Sequence, residues 1–372
     1  VIYSESRQDW HHHAAIVAEL TRRIGAKICY VSSDEGDPGL HQDDPNIVPF
    51  WIGDGFFRIV FFQTLRADVM LTQLLDLDNL DLKRSVYPVH YIFMFHSLVS
   101  THMADRENSY DHYDTILCAG PHQKREIRKR ESIRGLPAKQ LVPHGYRRLE
   151  QLMAERRIVP PRTATGNIHV LLAPSWGERT ILNLCGMELV GILLDAGFRL
   201  TLRPHFQTRW NSPGVIEGIV ARYGDHPQFA LIEDMGESDS LYDSHVMITD
   251  WSGAGMDYGL GLEKPVLYID VPPKSRNDAW RALGIEPLES IIRSEIGAVL
   301  APERLVDAPA VIRDLLREPE QFRRDVQQLR NRWVYNLGSS ARVAADAVAR
   351  IADEVAGSAG RSLERGVHDR HR

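Results

Sequence analysis

Cysteine is scarce in this sequence: Cys29, Cys118 and Cys185 are the three cysteines in 372 residues, and no CxxC pair occurs. This spacing suggests neither a disulfide framework nor a zinc site, and it favours a reducing compartment. Long apolar runs are also missing, since no segment reaches the roughly 18–20 residues that a membrane-spanning helix needs. The opening VIYSESRQDW has no basic or apolar leader, so no signal peptide is predicted there. Because residue 1 is not Met, we expect an excised start or one part of a longer protein.

An excess of basic charge is missing as well. The net charge is −6 and the sequence pI is about 6.3, which argues against a nucleic-acid partner. The hydrophobic content of 43% and the charged content of 25% are typical of a soluble globular protein. A chain of 372 residues usually forms more than one hydrophobic core, so two domains are expected.

Short apolar runs alternate with helical patterns along most of the chain. A helix is predicted over 11–25, ending at Gly25, and another over 187–197. Further helices are predicted after residue 301. The runs rich in Val, Ile, Phe and Tyr predict buried strands over 27–33, 57–63, 67–73, 89–97, 114–120, 167–175, 198–205, 229–234, 245–250 and 264–270.

This alternation predicts an α/β protein with two Rossmann-like, doubly wound parallel-sheet domains that face each other across a cleft. The Pro- and Gly-containing segment ERRIVPPRTATGN (155–167) separates the two series of strands. We therefore expect an N-terminal acceptor-side domain over 1–160 and a C-terminal donor-binding domain with the terminal helices over 161–355. A disordered tail is expected over 356–372, where apolar residues are few.

Residues that directly follow predicted strands are the candidates for a site. The segment TDWSGAG (249–255) follows a strand, and Ser252 and Gly253 there have the form of an anion-binding turn before a helix. A tight turn in which Ser252 only caps the helix is an equally good interpretation. Asp250 is expected to orient this turn or cap the helix rather than bind a metal, because no second carboxylate stands at ligand spacing.

Four segments match, in order, the motifs of one known family. They are VPHGYRRLEQL, LLAPSW, LRPH and SHVMITDWSGAGMDYGL with KPVLYID, and the last of these is the most specific. The sequence therefore resembles the CDP-glycerol glycerophosphotransferase family, the polymerases and primases of teichoic acids and related capsule polymers. The resemblance runs from the first strand to about residue 350 and implies a glycosyltransferase-B (GT-B) fold with the active site between two Rossmann-like domains.

The chain departs from the family pattern at three places. Ser175 replaces the Thr of the family's Pro-Thr-Trp. Where the family has Trp-His-Gly-Thr-Pro, this chain has FMFHSLVSTH, in which His96 takes the place of the family histidine. The family's Ser-Ser pair is Ser252-Gly253 here.

The resemblance implies a role for each matching residue. His96 would act as the general base on the acceptor hydroxyl, and His205 would assist the leaving group, with a backbone-bonded or solvated loop histidine as the simpler alternative. The donor would be held by Arg203, Ser175, Asp250, Ser252, Gly253, Glu233 and Asp234; of these, Glu233 and Asp234 would hold its ribose or merely cap a helix.

The implied activity is transfer of glycerol phosphate or ribitol phosphate from a CDP-linked donor to a hydroxyl of a cell-surface polymer or lipid-linked acceptor, with no cofactor and no metal. A nucleotide-sugar glycosyltransferase or a UDP-sugar epimerase of the same architecture is the alternative. A non-catalytic scaffold that binds a partner polymerase fits less well, because His96, Arg203, His205 and Ser252 are all present. The sequence does not determine the oligomeric state.

Two charged or ionisable segments have simpler interpretations. HHH (11–13) is predicted to be a solvated helix start rather than a metal site, since neighbouring residues on a helix point about 100° apart. The basic helix PHQKREIRKR is either a solvated face or a contact with an anionic acceptor or lipid headgroups. In the second case we expect a cytoplasmic protein held peripherally at the inner membrane face by Lys124, Arg125, Arg128, Lys129 and Arg130.

Overall fold

The structure is a computed structural model, and it describes residues 1–158, 167–232 and 239–368. Within these ranges the chain forms two compact units, each built around a parallel sheet. The first unit comprises residues 1–148 and 334–372, and the second comprises residues 149–333. The predicted α/β class with two doubly wound parallel-sheet domains is confirmed.

The first sheet has seven parallel strands in the order β3-β2-β1-β4-β5-β6-β7. Its strands are β1 (Ile2–Ser4), β2 (Ile28–Ser32), β3 (Ile47–Trp51), β4 (Val69–Thr72), β5 (His90–Met94), β6 (Thr115–Cys118) and β7 (Gln140–Pro143). The connecting helices are α1 (Trp10–Ala18), α2 (Phe56–Thr64) and α3 (Pro121–Arg134). A π-helical turn over Glu19–Ile24 extends α1, and Gly25 ends it with a φ of 77°, as predicted.

The second sheet has six parallel strands in the order β10-β9-β8-β11-β12-β13. Its strands are β8 (His169–Leu172), β9 (Arg199–Leu202), β10 (Phe229–Leu231), β11 (Val246–Thr249), β12 (Val266–Ile269) and β13 (Gly297–Leu300). The boundary between the units falls in α4 (Arg147–Ile158). The helices of the second unit that follow it are α5 (Ile181–Asp195), α6 (Phe206–Asn211), α7 (Pro213–Tyr223), α8 (Asp239–Asp243), α9 (Gly253–Met256), α10 (Leu288–Ile292), α11 (Ala308–Leu315) and α12 (Pro319–Trp333).

The final helix, α13 (Ser340–His368), belongs to the first unit rather than to the C-terminal domain that the sequence predicted. Ala344, Ala345, Val348 and Ile351 are buried in one core with strand residues such as Leu71. These positions form one apolar stripe on the helix, and the small Ala side chains allow close approach. The predicted boundary at 160/161 lies outside the described residues, and the backbone is helical to His368 where a disordered tail was expected from residue 356.

One predicted strand is wrong. The segment 57–63 lies in helix α2, which begins after Gly55 with its φ of 78°. Phe62 is fully buried, whereas Phe56 and Phe57 are each 73% exposed. The periodicity of a short apolar run does not distinguish a strand from a helix. Here the solvent-facing phenylalanines made the segment look apolar on both sides, as in a buried strand.

The place of α13 gives the first prediction. Ile351→Ala should lower the free energy of unfolding by about 2–4 kcal/mol, because Ile351 is 1% exposed and its removal leaves a cavity. In native-state hydrogen exchange the loss should concentrate in the amides of β1 and β4, and the exposed Arg350→Ala serves as control. Loss of protection in β8 and β11 instead would return α13 to the second unit.

Candidate functional site

The first candidate region lies at the carboxyl edge of the second sheet. The strand order reverses between β8 and β11, and in such sheets ligands bind beyond the carboxyl ends of the strands at this point. The predicted residues Ser175, Arg203, His205, Asp250, Ser252 and Gly253 all follow strands β8, β9 or β11 at this edge. The sheet therefore brings together residues that are up to 78 positions apart in the sequence.

Asp250, which follows β11, connects to the loop that follows β8, on the other side of the point where the strand order reverses. Its side chain is fully buried, and its Oδ1 accepts a hydrogen bond from the Ser175 N–H at 2.8 Å. Its Oδ2 accepts one from the Ile181 N–H, at the start of α5, at 3.2 Å. Thr249 adds a second connection by donating from its hydroxyl to the Ala173 carbonyl at 2.7 Å. Asp250 thus orients the loop, as expected from the sequence, and both of its oxygens face the protein.

The turn after Asp250 is held by the Ser252 side chain and by close packing at Gly255. The Ser252 Oγ accepts from the Ala254 N–H at 3.3 Å and caps α9, which is a single turn continued by a π-helical turn over Asp257–Gly261. At Gly255 a Cβ would lie 2.6 Å from the Tyr268 hydroxyl, so this glycine is required by packing. The capping interpretation of Ser252 is therefore confirmed as a contact, while its hydroxyl proton is still able to serve as a donor.

His205 is held in one tautomer. Its Nδ1 accepts from the Gln207 N–H at 3.1 Å and so caps α6, which leaves the ring proton on Nε2. The ring lies between two aromatic side chains, 4.6 Å from Phe206 and 6.0 Å from Trp176 between centroids. Burial, and then the charge of Lys274, lower the pKa of His205 to about 4. The imidazole is therefore neutral at pH 7 and presents an Nε2–H donor.

Lys274 is the site residue that the sequence reasoning missed. Its Nζ lies 3.8 Å from the centroid of the Trp176 ring, a cation–π contact. Burial, with a smaller effect of Arg276, lowers the pKa of Lys274 to about 8, while Asp250 opposes this shift. The signal was present in the sequence, because VPPKSR directly follows the strand predicted over 264–270. Lys274 and His205 thus contact the same Trp176 ring from loops that follow two different strands.

The other predicted donor residues have less distinctive surroundings. Arg203 is half-buried at the end of β9, where its backbone N–H donates to the Leu172 carbonyl at 2.9 Å. Ser175 is 6% exposed and contributes its backbone N–H to Asp250. Glu233 and Asp234 lie outside the described residues.

The second candidate region lies in the first unit, where His96 follows β5. Its side chain is exposed to solvent, and within the described chain it has no hydrogen-bond partner, so the backbone-bonded alternative is wrong. Surrounding protein nevertheless desolvates the ring and lowers the pKa of His96, with Asp9 opposing this shift. The imidazole is neutral at pH 7, which is the form that accepts a proton.

His96 borders a recess of about 260 Å³, a volume that includes the part open to solvent. Two other histidines contribute to its walls, and so do the starts of α4 and α13. The lining residues are His12, Ile16, Met94, Phe95, His96, His144, Tyr146, Arg147, Ser340 and Ala341.

The triple histidine and the basic helix differ from their predictions. His11 is exposed and His12 is half-buried, but His13 is 0% exposed, so the segment is not a solvated helix start. On α3, His122 and Arg130 are buried, and Arg130 donates to the Thr101 carbonyl at 3.0 Å. The helix has a second, inward-facing side that the run of charges concealed. Of the five cations named in the membrane prediction, Lys124, Arg125 and Lys129 are exposed, whereas Arg128 is half-buried and bound to Glu131.

The described residues contain neither a cluster of metal ligands nor a membrane-spanning helix. Over 1–158, 167–232 and 239–368, no group of three or more His, Cys, Asp or Glu side chains is placed to hold a metal ion. In the same part of the chain, no helix combines the length and apolar character needed to cross a bilayer.

These two parallel-sheet units define an α/β fold of the GT-B class, which glycosyltransferases and sugar-nucleotide epimerases share. The wall teichoic acid polymerase TagF is similar with a TM-score of 0.56 and 13% identity, over 98% of this chain and 89% of TagF. The UDP-GlcNAc 2-epimerase of Neisseria meningitidis is similar with a TM-score of 0.58 and 12% identity, over 94% of this chain and 99% of the epimerase.

The UDP-GlcNAc 2-epimerase of Methanocaldococcus jannaschii gives a TM-score of 0.55 at 12% identity, over 92% of this chain and 98% of that one. No family model and no curated protein sequence matches the chain. At these identities the similarities establish the fold and leave the chemistry to be argued from the residues.

The position of Asp250 gives the second prediction. Asp250→Ala should lower the free energy of unfolding by about 2–4 kcal/mol, because it leaves the buried N–H groups of Ser175 and Ile181 without their acceptor. Asp250→Asn keeps one acceptor oxygen and should cost less. Urea unfolding measures the loss, and amide exchange at Ser175 and Ile181 locates it. Unchanged protection at both amides in Asp250→Ala would contradict the assigned role.

Proposed function

We propose that this protein is a transferase that moves an alditol phosphate, glycerol phosphate or ribitol phosphate, from a CDP-linked donor to a hydroxyl of a cell-surface polymer or lipid-linked acceptor. The observation that carries the proposal is the arrangement of His205, Lys274 and Trp176 at the carboxyl edge of the second sheet. A neutral N–H donor and a cation on one aromatic ring suit a diphosphate group. The motifs around Ser175, Arg203 and Ser252, which resemble those of CDP-alditol transferases, favour a CDP-alditol as the donor.

The proposed reaction is a single displacement at phosphorus. The acceptor hydroxyl oxygen attacks the phosphorus that carries the alditol, and His96 takes the hydroxyl proton. The bond from that phosphorus to the bridging oxygen breaks, and the oxygen leaves with CMP. The leaving phosphate gains negative charge, which Lys274, Arg203 and the His205 Nε2–H stabilise. No metal or cofactor has a place in this scheme.

The alternative is a nucleotide-sugar enzyme, and one observation favours it. The two UDP-GlcNAc 2-epimerases match the fold as closely as TagF does. A diphosphate site of the same kind would serve a UDP-sugar equally well. The two proposals therefore differ in which nucleotide the site binds and in which group the protein transfers.

A peripheral membrane location belongs to the same proposal, because a lipid-linked acceptor lies at a membrane. Lys124, Arg125 and Lys129 on α3 are the cations exposed for such a contact. Arg130 is buried and therefore does not take part in this contact. Arg128 forms an ion pair with the Glu131 carboxylate, which reduces its attraction to an anionic surface.

The third prediction tests the reaction. His96→Ala should lower turnover of CDP-glycerol by about two to four orders of magnitude, the usual effect of losing a general base, and should leave donor affinity nearly unchanged. CMP release measures turnover, and calorimetric titration with CDP-glycerol, CDP-ribitol, CMP and UDP measures affinity. The surface histidine variant His112→Ala serves as control. Binding of UDP together with no binding of either CDP-alditol would favour the alternative.

The fourth prediction concerns Lys274. Lys274→Gln should weaken CDP binding about 10- to 100-fold, since a charge-assisted contact contributes about 1.5–3 kcal/mol, and should leave cytidine binding unchanged. A diphosphate binds the protonated amine best, so wild-type affinity for CDP should fall as the pH rises above about 8, the pKa of Lys274. Lys274→Gln should lose this pH dependence.

Arg276→Gln is the matched control, because Arg276 is exposed and lies two residues away in the same loop. If Lys274→Gln and Arg276→Gln weaken CDP binding equally, the effect is general electrostatic attraction and Lys274 does not contact the diphosphate.

A further inference from the structure

Three consecutive histidines at the start of α1 occupy three different environments. The His11 side chain points to solvent, the His12 side chain is half-buried, and the His13 side chain is 0% exposed. The turn of about 100° per residue separates these directions, so one short segment delivers three histidines to three places. Only the middle one has a place beside the candidate base.

The His12 ring packs on the His96 ring. Their centroids are 5.1 Å apart with an angle of 37° between the ring planes, and both residues line the same recess. Neither imidazole has a hydrogen-bond partner in the part of the chain that the structure describes. The orientation of a histidine ring is a soft torsion when no hydrogen bond fixes it. Packing against His12 is therefore one contact that restricts the His96 ring, and it is a ring-on-ring contact.

We propose that His12 is a positioning residue for His96: its ring holds the His96 imidazole in the orientation in which it receives the proton of the acceptor hydroxyl. This inference rests on the proposed function, because it gives His12 a part in the same step. His12 touches His96 and does not need to touch the substrate. The segment that supplies it lies outside the motifs that carry the family resemblance.

The charges around the pair support a role for the ring rather than for a proton on His12. Burial, followed by neighbouring basic groups, lowers the pKa of His12 to about 3, so the side chain is neutral at pH 7. Desolvation by the surrounding protein also favours neutral His96. The ionisable groups whose charges act on the pair or that line its recess are Asp9, His11 and His13 around α1, His144 before α4, and Arg147 and Arg148 in α4.

The experiment compares three variants. His12→Ala removes the packing ring, His12→Phe keeps an aromatic ring of similar size that has no ionisable group, and His11→Ala removes the exposed neighbour. The first measurement is the titration of His96 by proton NMR without substrate. In His12→Ala the pKa of His96 should rise toward the ordinary value of about 6.5, because water reaches the uncovered face of the ring. In His12→Phe and His11→Ala it should stay lowered.

The second measurement is turnover with CDP-glycerol. His12→Ala should lower kcat about 10- to 100-fold, the scale of a misplaced reacting group, with little change in KM for the donor. His12→Phe and His11→Ala should keep kcat within about threefold of the wild-type value. A purely structural role would lower the stability of His12→Ala without separating kcat from KM, so thermal melts accompany both measurements.

The outcomes separate this inference from the proposed function. The inference is overturned if His96 titrates identically in His12→Ala and wild type, or if His12→Phe is as inactive as His12→Ala. If CDP-glycerol is not a substrate but the His96 titration shifts in His12→Ala alone, the proposed function fails while the positioning of His96 by His12 stands.

Discussion

The acceptance of two backbone hydrogen bonds by one buried carboxylate holds the second sheet's candidate site in place. Asp250 binds the Ser175 N–H after β8 and the Ile181 N–H at the start of α5. A buried carboxylate is costly unless donors surround it, so the loop that supplies those donors has little freedom to move. Trp176 follows Ser175 directly, and Lys274 and His205 both contact its ring. The position of the cationic site thus depends on a buried carboxylate whose two oxygens both accept backbone hydrogen bonds.

The first sheet also has a buried carboxylate that accepts several hydrogen bonds at its carboxyl edge. Asp37 is fully buried and accepts hydrogen bonds from the Ser4 hydroxyl at the end of β1, the Ser32 hydroxyl at the end of β2, and the Gly39 N–H. Asp37 thus accepts from two side-chain hydroxyls and one backbone N–H, whereas Asp250 accepts from two backbone N–H groups. In each sheet, then, a buried carboxylate connects two segments at the carboxyl edge.

Neutral histidines give the two candidate regions their chemical character. Desolvation by the surrounding protein lowers the pKa of His12, His96 and His205, so at pH 7 each imidazole carries one proton on one nitrogen. His205 has its Nδ1 occupied by the Gln207 N–H and offers a donor, whereas both nitrogens of His96 are without protein hydrogen bonds in the described chain. The same residue type therefore suits different tasks, and the surrounding backbone decides which one.

The sequence by itself determined the fold class, because buried parallel strands and their connecting helices leave a periodic apolar pattern. It also placed His96, Arg203, His205, Asp250 and Ser252 at strand ends, since strand ends are visible as the limits of apolar runs. Only the tertiary structure decided that α13 packs on the first sheet, that Arg130 and His13 are buried, and that Lys274 and His12 lie beside the rings of Trp176 and His96. Those contacts join residues from separate strands and helices, and no local pattern in a sequence records which distant side chain will share a surface.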